Sequence, residues 1–283
     1  PLRKGREVLR LAREVRRRRP AFGFNFHRDW RYAAILRLAG VPVRIGFATR
    51  GGRLLNRPVG VEGIAHHVFQ YARLTMAAGA VPASYRLVFP LTAAELQAAK
   101  DRLPGAVDGR WVALAPGGAA NVKETMASRR WAGPRFAELA RRLEQRGIGV
   151  VVVGGDGDAP IGRTIVAASP GAVDLCGQTS VAEAAAVLAN SALAVSNDSG
   201  LMHLAAATGI PVVALFGPTH PAEKKPLTEG SVVLWPGETM DCAPCYADGV
   251  FPDCREVACL QRIAVTEVEE AVLKILGSAP AMV

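Results

Sequence analysis

Short apolar runs that alternate with amphipathic helical segments dominate the second half of the chain. The runs GVVVV at 149–153 and LAVS at 193–196 lack the alternating polar positions of a half-exposed strand. Runs of this kind are typical of parallel strands that helices cover on both faces. Helical periodicity follows or separates such runs over 134–146, 161–168, 180–189 and 201–208. The pattern predicts an α/β fold with parallel sheets.

The chain has 283 residues, half of them hydrophobic, which is enough for two domains of moderate size. Strand and helix patterns predict a first domain over 1–108, including a linker and a helix that follow Pro90. This set is short for a complete doubly wound domain, so we expect its opening strand and glycine-containing turn to be missing. A second domain is predicted over 109–265, followed by a C-terminal helix over 266–283.

The net charge is +9, and basic residues concentrate near the N-terminus, as in the run at 16–19. This charge fits either a solvated helix end or a surface that meets an anionic membrane or an acidic acceptor. No nucleic-acid-reading motif accompanies it, so we expect no nucleic-acid partner. We find neither a run of about 18 apolar residues nor a signal peptide. These features predict a cytoplasmic protein, with peripheral contact to the inner face of the cytoplasmic membrane and oligomer formation left open.

Glycine-containing loops follow five of the predicted strands, at 116–118, 154–158, 175–180, 197–200 and 216–219. In a parallel sheet such loops meet at the carboxyl edge, where ligands of these folds bind. Glycines let the backbone approach a ligand closely, and helix N-termini offer free N–H groups to phosphate. Any one loop could be an ordinary turn, but five at one edge predict a nucleotide or nucleotide-sugar site.

The loop Asp198-Ser199-Gly200 has the most specific composition of the five. Ser199 and Gly200 can offer a hydroxyl and an amide to a phosphate. An ionised Asp198 cannot contact a phosphate favourably, so we expect it to cap the helix or to orient neighbouring donors. His203 lies one helical turn later and could bring its ring to the same end, although a structural role is also open.

The segment NDSGLMHLAAATGIPVVALFGPTHP at 197–221 resembles the signature block of glycosyltransferase family 9, which includes the bacterial ADP-heptose:lipopolysaccharide heptosyltransferases. The segments at 36–47, 116–143 and 150–200 are also similar to that family. The resemblance implies a GT-B fold of two facing Rossmann-like domains, of which the first holds the acceptor and the second the nucleotide sugar. It also implies transfer of a heptose, or a related sugar, with inversion and without a catalytic metal. The donor would be ADP-linked, and the acceptor a lipopolysaccharide core or a similar glycolipid or protein.

The loops and the resemblance together give the candidates for donor binding, which are Gly118, Arg129, Asp158, Thr179, Asp198, Ser199, Gly200 and His203. Trp131 falls on the tryptophan of the family pattern, so Arg129 stands where the family commonly has a phosphate-binding lysine. Arg130 or Lys123 could share that task, and a solvated arginine pair at a helix start is the alternative.

The catalytic base has no clear counterpart in this sequence. By resemblance it would be an Asp in the first glycine-containing loop of the first domain, which would lie upstream of Pro1. A carboxylate there would take the proton of the acceptor hydroxyl during its attack. Asp29 is a weak substitute, because a surface or capping role fits it better. His27 and His66 are the candidates on the acceptor side.

Cys242, Cys245, Cys254 and Cys259 are separated by two, eight and four residues, a knuckle-like spacing that suits tetrahedral thiolate ligation. The segment is rich in Pro, Gly and Asp, so a metal ion would organise it. We expect a structural zinc or iron ion, with two disulfides or free thiols as alternatives. Some members of the resembled family carry such an iron- or zinc-binding element.

Two other functions remain open at this point. One is transfer of a heptose to a protein of the autotransporter type, or transfer of another sugar from a nucleotide. The other is a non-catalytic, nucleotide-sugar-binding scaffold, which the missing base loop favours.

Overall fold

The computed structural model describes residues 2–49, 52–61, 63–103, 110–118, 127–246, 254 and 256–278. The chain divides into two compact units, residues 1–85 and residues 86–283. Lys123, the sequence candidate for a shared phosphate contact, lies outside the described residues. Within these ranges no helix is both long enough and apolar enough to cross a membrane.

The first unit contains a small parallel sheet in the order β1-β2-β3. Its elements are α1 (Leu2–Arg17), β1 (Phe22–Asn25), α2 (Trp30–Leu38), β2 (Val43–Phe47), β3 (Arg57–Val59) and α3 (His67–Ala77). One side of α1 packs on α2 through Ala12, Ile35 and Ala39, and Leu74 of α3 packs on Ile45 of β2. Apolar side chains of these helices therefore cover the sheet of the first unit.

The second unit contains a parallel sheet of six strands in the order β6-β5-β4-β7-β8-β9. Its strands are β4 (Trp111–Ala115), β5 (Gly149–Val152), β6 (Val173–Asp174), β7 (Leu193–Asn197), β8 (Val212–Leu215) and β9 (Val232–Leu234). Its helices are α4 (Ala93–Asp101), α5 (Gly133–Gln145), α6 (Ala159–Ala168), α7 (Val181–Ala189), α8 (Gly200–Thr208), α9 (Pro221–Lys224), α10 (Ala258–Gln261) and α11 (Val265–Ser278). The strand order reverses between β4 and β7, which is the order of a doubly wound dinucleotide-binding fold.

Hydrophobic clusters on both faces of this sheet explain why its strands are mostly apolar. Leu114 of β4 packs with Phe136 of α5 on one face, while Ala113 packs with Met202 of α8 on the other. Each fully buried Leu, Met or Phe side chain contributes about 1.5–3 kcal/mol relative to exposure. The predicted α/β fold with parallel sheets is confirmed.

Two short strands and one boundary differ from the sequence expectations. β3 contains Pro58, which cannot donate to a sheet ladder and is tolerated because β3 is an edge strand. β9 has only three residues and was not expected either. Helix α4 packs on α7, with Ala99 in the same cluster as Leu188. The stretch from residue 86 onward therefore belongs to the second unit, whereas the expected division lay at 108/109.

Candidate functional site

An open cleft of about 630 Å³ lies at the carboxyl edge of the second sheet, where the loops after β4 and β7 diverge. Its polar and glycine lining residues are Gly118, Arg130, Gly155, Gly157, Asp158, Ser199, Gly200 and His203. Its apolar lining residues are Leu87, Val88, Val181, Leu201, Leu204 and Ala207. A cleft lined by a cation, glycines and apolar side chains suits a ligand that joins phosphates to an aromatic base.

The first turn of α8 contributes polar residues to the lining of the cleft. Ser199 is the N-cap residue, and its side chain makes no capping hydrogen bond. Its Oγ lies 3.4 Å from Oγ of Ser196. The first turn of this nine-residue helix carries no acidic side chain, so its N–H groups, which have no partner within the helix, can attract an anion. Gly200, at the start of the helix, is exposed in the cleft.

Gly118 allows the loop after β4 to approach this turn closely. Its φ is +119°, a conformation that residues with a side chain rarely adopt. A Cβ atom at this position would lie 2.9 Å from Cβ of Ser199, which is closer than real Cβ atoms come to such neighbours. The absence of a side chain at Gly118 therefore allows the loop after β4 to lie this close to Ser199.

Asp198 is buried, with 2% of its surface exposed, and is not among the residues that line the cleft. Its Oδ2 accepts a hydrogen bond of 2.7 Å from Thr219 Oγ1 and lies 2.8 Å from Nη2 of Arg129. Arg129 also donates to the backbone carbonyl of Asp198. Asp198 thus holds the side chains of Thr219 and Arg129 in place. Arg129, the expected phosphate-binding cation, is held in this buried pair and does not line the cleft either.

Arg130 is the cation that lines the cleft among the described residues. Its Nη2 lies 2.9 Å from Oδ1 of Asp158, whose Oδ2 accepts a hydrogen bond of 3.0 Å from the N–H of Gly155. The Nε of Arg130 is buried and has no hydrogen-bond partner among the described residues. Thr179 is half-buried beside Ser180, the N-cap of α7, and is not a lining residue.

Asn197 organises the site and was not among the sequence candidates. Its side chain is completely buried at the end of β7. It accepts a hydrogen bond of 3.0 Å from the N–H of Trp131 and donates to the carbonyls of Pro116 and Gly117 at 2.8 and 2.9 Å. One amide therefore ties the loop after β4 to the segment that carries Arg129 and Arg130. The signal in the sequence was a polar residue that ends a buried apolar strand.

Replacing Asn197 by alanine is expected to lower the free energy of unfolding by about 3 kcal/mol. The change leaves three buried backbone groups without their partner, and each such loss costs about 1–3 kcal/mol before the structure relaxes. Urea unfolding measures the change. Asn190→Ala is a matched control, because Asn190 is only half-buried and its amide donates to the carbonyls of Leu96 and Ala186. A loss at Asn197 no larger than that at Asn190 would contradict the bracing role.

The three candidates in the first unit all accept backbone hydrogen bonds at helix starts. Asp29 is the N-cap of α2 and accepts from the N–H and side chain of Arg31. These side-chain hydrogen bonds lower the pKa of Asp29 to about 2, which makes it a poor general base at neutral pH. His27 accepts from the N–H of Asp29, and the buried His66 accepts from the N–H of Val68 as the N-cap of α3. These contacts are structural.

The cysteines of the predicted metal element are all free thiols. Cys242 and Cys254 are exposed, Cys245 is half-buried and Cys259 is buried. Burial raises the pKa of Cys245, and the neighbouring charges of Cys242 and Cys254 raise it further. Over the described residues, no three or more His, Cys, Asp or Glu side chains are arranged to hold a metal ion. Residues 247–253 and 255, which connect these cysteines, lie outside the described ranges.

Two curated relatives illustrate the similarity at the level of sequence. Lipooligosaccharide heptosyltransferase 2 of Haemophilus influenzae is 38% identical over 112 residues, which are 38% of this chain and 32% of that protein. Lipopolysaccharide heptosyltransferase 2 of Escherichia coli K12 is 29% identical over 244 residues, or 81% of this chain and 68% of that protein. The match thus spans about a third of the first relative and about two thirds of the second.

Solved structures share the fold. The ADP-heptose lps heptosyltransferase II of E. coli superposes with a TM-score of 0.73 at 24% identity, over 95% of this chain and 80% of that one. A glycosyl transferase of family 9 from Veillonella parvula gives 0.77 at 20% identity, over 98% and 79%. The iron-containing dodecameric glycosyltransferase TibC of enterotoxigenic E. coli gives 0.52 at 19% identity, over 83% and 60%.

The family model described as glycosyltransferase family 9 (heptosyltransferase) matches residues 8–249, which include both parallel sheets and the whole cleft. The match covers most of the chain, and the resemblance of the segment at 197–221 is therefore confirmed. This chain belongs to glycosyltransferase family 9.

Proposed function

We propose that this protein transfers a heptose from ADP-heptose to the core of a lipopolysaccharide. The observation that carries the proposal is the cleft at the carboxyl edge of the second sheet, which is lined by the N-terminus of α8, by Arg130 and by apolar side chains. The names of the curated relatives supply the sugar and the class of acceptor. The chain aligns with only part of those relatives, so the activity of the whole protein is a proposal.

The diphosphate of the donor would bind at the first turn of α8. The N–H groups of this turn, the hydroxyl of Ser199 and the guanidinium of Arg130 are the donors available there. The ring of His203, one turn into the helix, lines the same cleft. The base would pack on the apolar lining residues Val181 and Leu204. The diphosphate would thus contact hydrogen-bond donors and a cation, and the base would contact apolar side chains.

The reaction would proceed by a single displacement with inversion at the anomeric carbon. A hydroxyl of the acceptor forms the new bond to this carbon, and the bond from the carbon to the phosphate oxygen breaks. ADP leaves with the electron pair of that bond, and Arg130 and the α8 amides stabilise the developing charge. The hydroxyl proton passes to a general base. We assign this base to none of His27, Asp29 and His66, because Asp29 and His66 cap helices and His27 accepts a hydrogen bond from the N–H of Asp29.

Turnover of ADP-heptose by the purified full chain tests the proposal. We expect ADP release that requires a heptose-accepting lipopolysaccharide core, and a product whose new linkage has the opposite anomeric configuration to the donor by NMR. A passenger protein of the autotransporter type forms a second arm, and ADP release with that acceptor alone would favour the protein O-heptosyltransferase. Tight binding of ADP-heptose without ADP release in either arm would favour the non-catalytic scaffold.

We propose further that the four cysteines hold one structural zinc or iron ion. Four thiols form a suitable donor set for either metal. The support for the proposal is the knuckle-like spacing of the four cysteines, which are separated by two, eight and four residues. The metal would fix the segment at 242–259 and would take no part in the sugar transfer.

Elemental analysis of the purified protein tests the metal. We expect one equivalent of zinc or iron, and its loss in the variant Cys242→Ser/Cys245→Ser. Cys176→Ser is the matched control, because Cys176 is buried in the core of the second unit and should leave the metal content unchanged. Metal-free protein with four titratable thiols, or with two disulfides, would contradict the proposal.

A further inference from the structure

Charge is divided very unevenly between the two units. Residues 1–85 contain 17 Lys and Arg and 4 Asp and Glu, a net charge of +13. Residues 86–283 contain 17 Lys and Arg and 21 Asp and Glu, a net charge of −4. Nine of the 17 basic residues of the first unit lie within residues 3–19. The excess positive charge of the protein therefore belongs to α1 and its immediate surroundings.

Helix α1 presents this charge on one side. Its buried side, which includes Val8, Leu11, Ala12 and Val15, packs on α2. At 100° per residue, five exposed arginines project from an arc of about 120° that points away from the buried side. They are Arg6, Arg10, Arg13, Arg16 and Arg17, which we call the basic face.

The margins of the basic face do not neutralise it. Glu7 and Glu14 lie at one margin, where they pair with Arg10 at 3.7 Å and with Arg18 at 3.9 Å. All four of these side chains are more than half exposed, so the pairs are weak and screened. Leu9 lies within the arc and is 46% exposed. The face is therefore strongly cationic, with one apolar side chain near its edge beside Arg16.

We propose that the basic face of α1 binds the surface of an anionic lipid bilayer. A helix of 16 residues is about 24 Å long. Its packing on α2 directs all five arginine side chains away from the same buried side. A bilayer surface with acidic headgroups offers a continuous anionic plane that matches such a row, and each arginine adds to the attraction. Leu9 suits the boundary between headgroups and acyl chains. Because the helix is already folded and docked, no ordering of the chain opposes binding.

This inference goes beyond the proposed sugar transfer, since it concerns the first unit and does not depend on the donor cleft. It explains a feature that the cleft does not use, namely the strong positive charge of one unit only. It also predicts that binding weakens steeply with salt, because exposed charges interact over about 8–10 Å at physiological ionic strength.

Sedimentation of the full chain with lipid vesicles tests the proposal. The probes are vesicles of phosphatidylcholine alone and vesicles that also contain about 30% phosphatidylglycerol. We expect binding to the second kind only, with loss as NaCl rises from roughly 0.05 to 0.3 M. The variant Arg6→Gln/Arg10→Gln/Arg13→Gln should bind these vesicles about a hundredfold more weakly. The variant with lysine at the same three positions should bind within a few fold of the wild type.

The matched control removes three exposed arginines from other elements, as Arg53→Gln/Arg110→Gln/Arg163→Gln. It has the same net charge as the α1 variant and should keep most of the binding. Equal loss in both variants would show that total charge matters rather than the basic face, and would overturn the proposal. Failure of the wild type to bind anionic vesicles, or salt-sensitive binding to duplex DNA without binding to vesicles, would overturn it as well.

Discussion

Replacing Asp198 by alanine is expected to lower the free energy of unfolding by about 3–5 kcal/mol. The carboxylate is 3% exposed and pairs with Arg129, whose side chain is 16% exposed. Removing one partner of a buried ion pair leaves the other charge in a poorly solvated position, which accounts for a loss of this size. The hydroxyl of Thr219 loses its acceptor at the same time. Urea unfolding followed by tryptophan fluorescence reports on this region, because Trp111, Trp131 and Trp235 belong to the second unit.

Two further variants separate the ion pair from simple loss of a carboxylate. Asp156→Ala removes an exposed carboxylate from the same edge of the sheet and should change the stability by at most about 0.5 kcal/mol. The double variant Asp198→Ala/Arg129→Met removes both charges, so its loss should be smaller than that of Asp198→Ala alone. If the double variant is the less stable of the two, the buried charge is not the cause of the effect.

Replacing Arg130 by alanine is expected to lower kcat/KM for the sugar donor by a factor of about 10²–10³. Under the proposed function, Arg130 is the guanidinium beside the leaving phosphate, and removal of one such donor typically has an effect of this size. The loss also leaves the carboxylate of Asp158 without its partner at 2.9 Å, where it repels the diphosphate. Initial rates of ADP release at varied donor concentration measure the change.

The pairing of Arg130 with Asp158 supplies the controls for this prediction. Arg130→Lys keeps the charge but loses the planar fork, so a loss of about tenfold is expected. The double variant Arg130→Ala/Asp158→Ala should be more active than Arg130→Ala, because it removes the repulsive carboxylate as well. A rate for Arg130→Ala within about threefold of the wild type would remove Arg130 from the donor site.

The sequence predicted the architecture of the second unit well, because each of its long strands is apolar on both faces. Val151 and Ala194 both have apolar residues directly before and after them in their strands, and glycine-containing loops follow these strands. The short strands β3 and β9 escaped prediction for a physical reason. Three residues give no periodicity to read, and Pro58 argues against a strand unless its edge position is known.

The roles of neighbouring residues in the candidate site were harder to predict than its place. The sequence predicted a site at the loop 197–200 and a supporting role for Asp198, which pairs with Arg129 in the structure. It could not tell which of two adjacent arginines reaches the cleft. That choice depends on Asp198 and Asp158, which lie 69 and 28 residues away from Arg129 and Arg130 along the chain. Contacts at such separations are set by tertiary packing, which local sequence patterns do not carry.

The turn between β7 and α8 has a consequence for engineering the choice of nucleotide. Asn197 and Asp198 face inward and hold the loops together, so a library that varies them would mostly yield unstable protein. Two of the apolar lining residues do not hold the loops together in this way, because Val181 is 66% exposed and Val88 is 79% exposed. Under the proposed function, variation confined to Val88 and Val181 would change the surface offered to the base and leave the phosphate-binding residues unchanged. Val88 and Val181 can therefore be varied at little cost in stability, whereas Asn197 and Asp198 cannot.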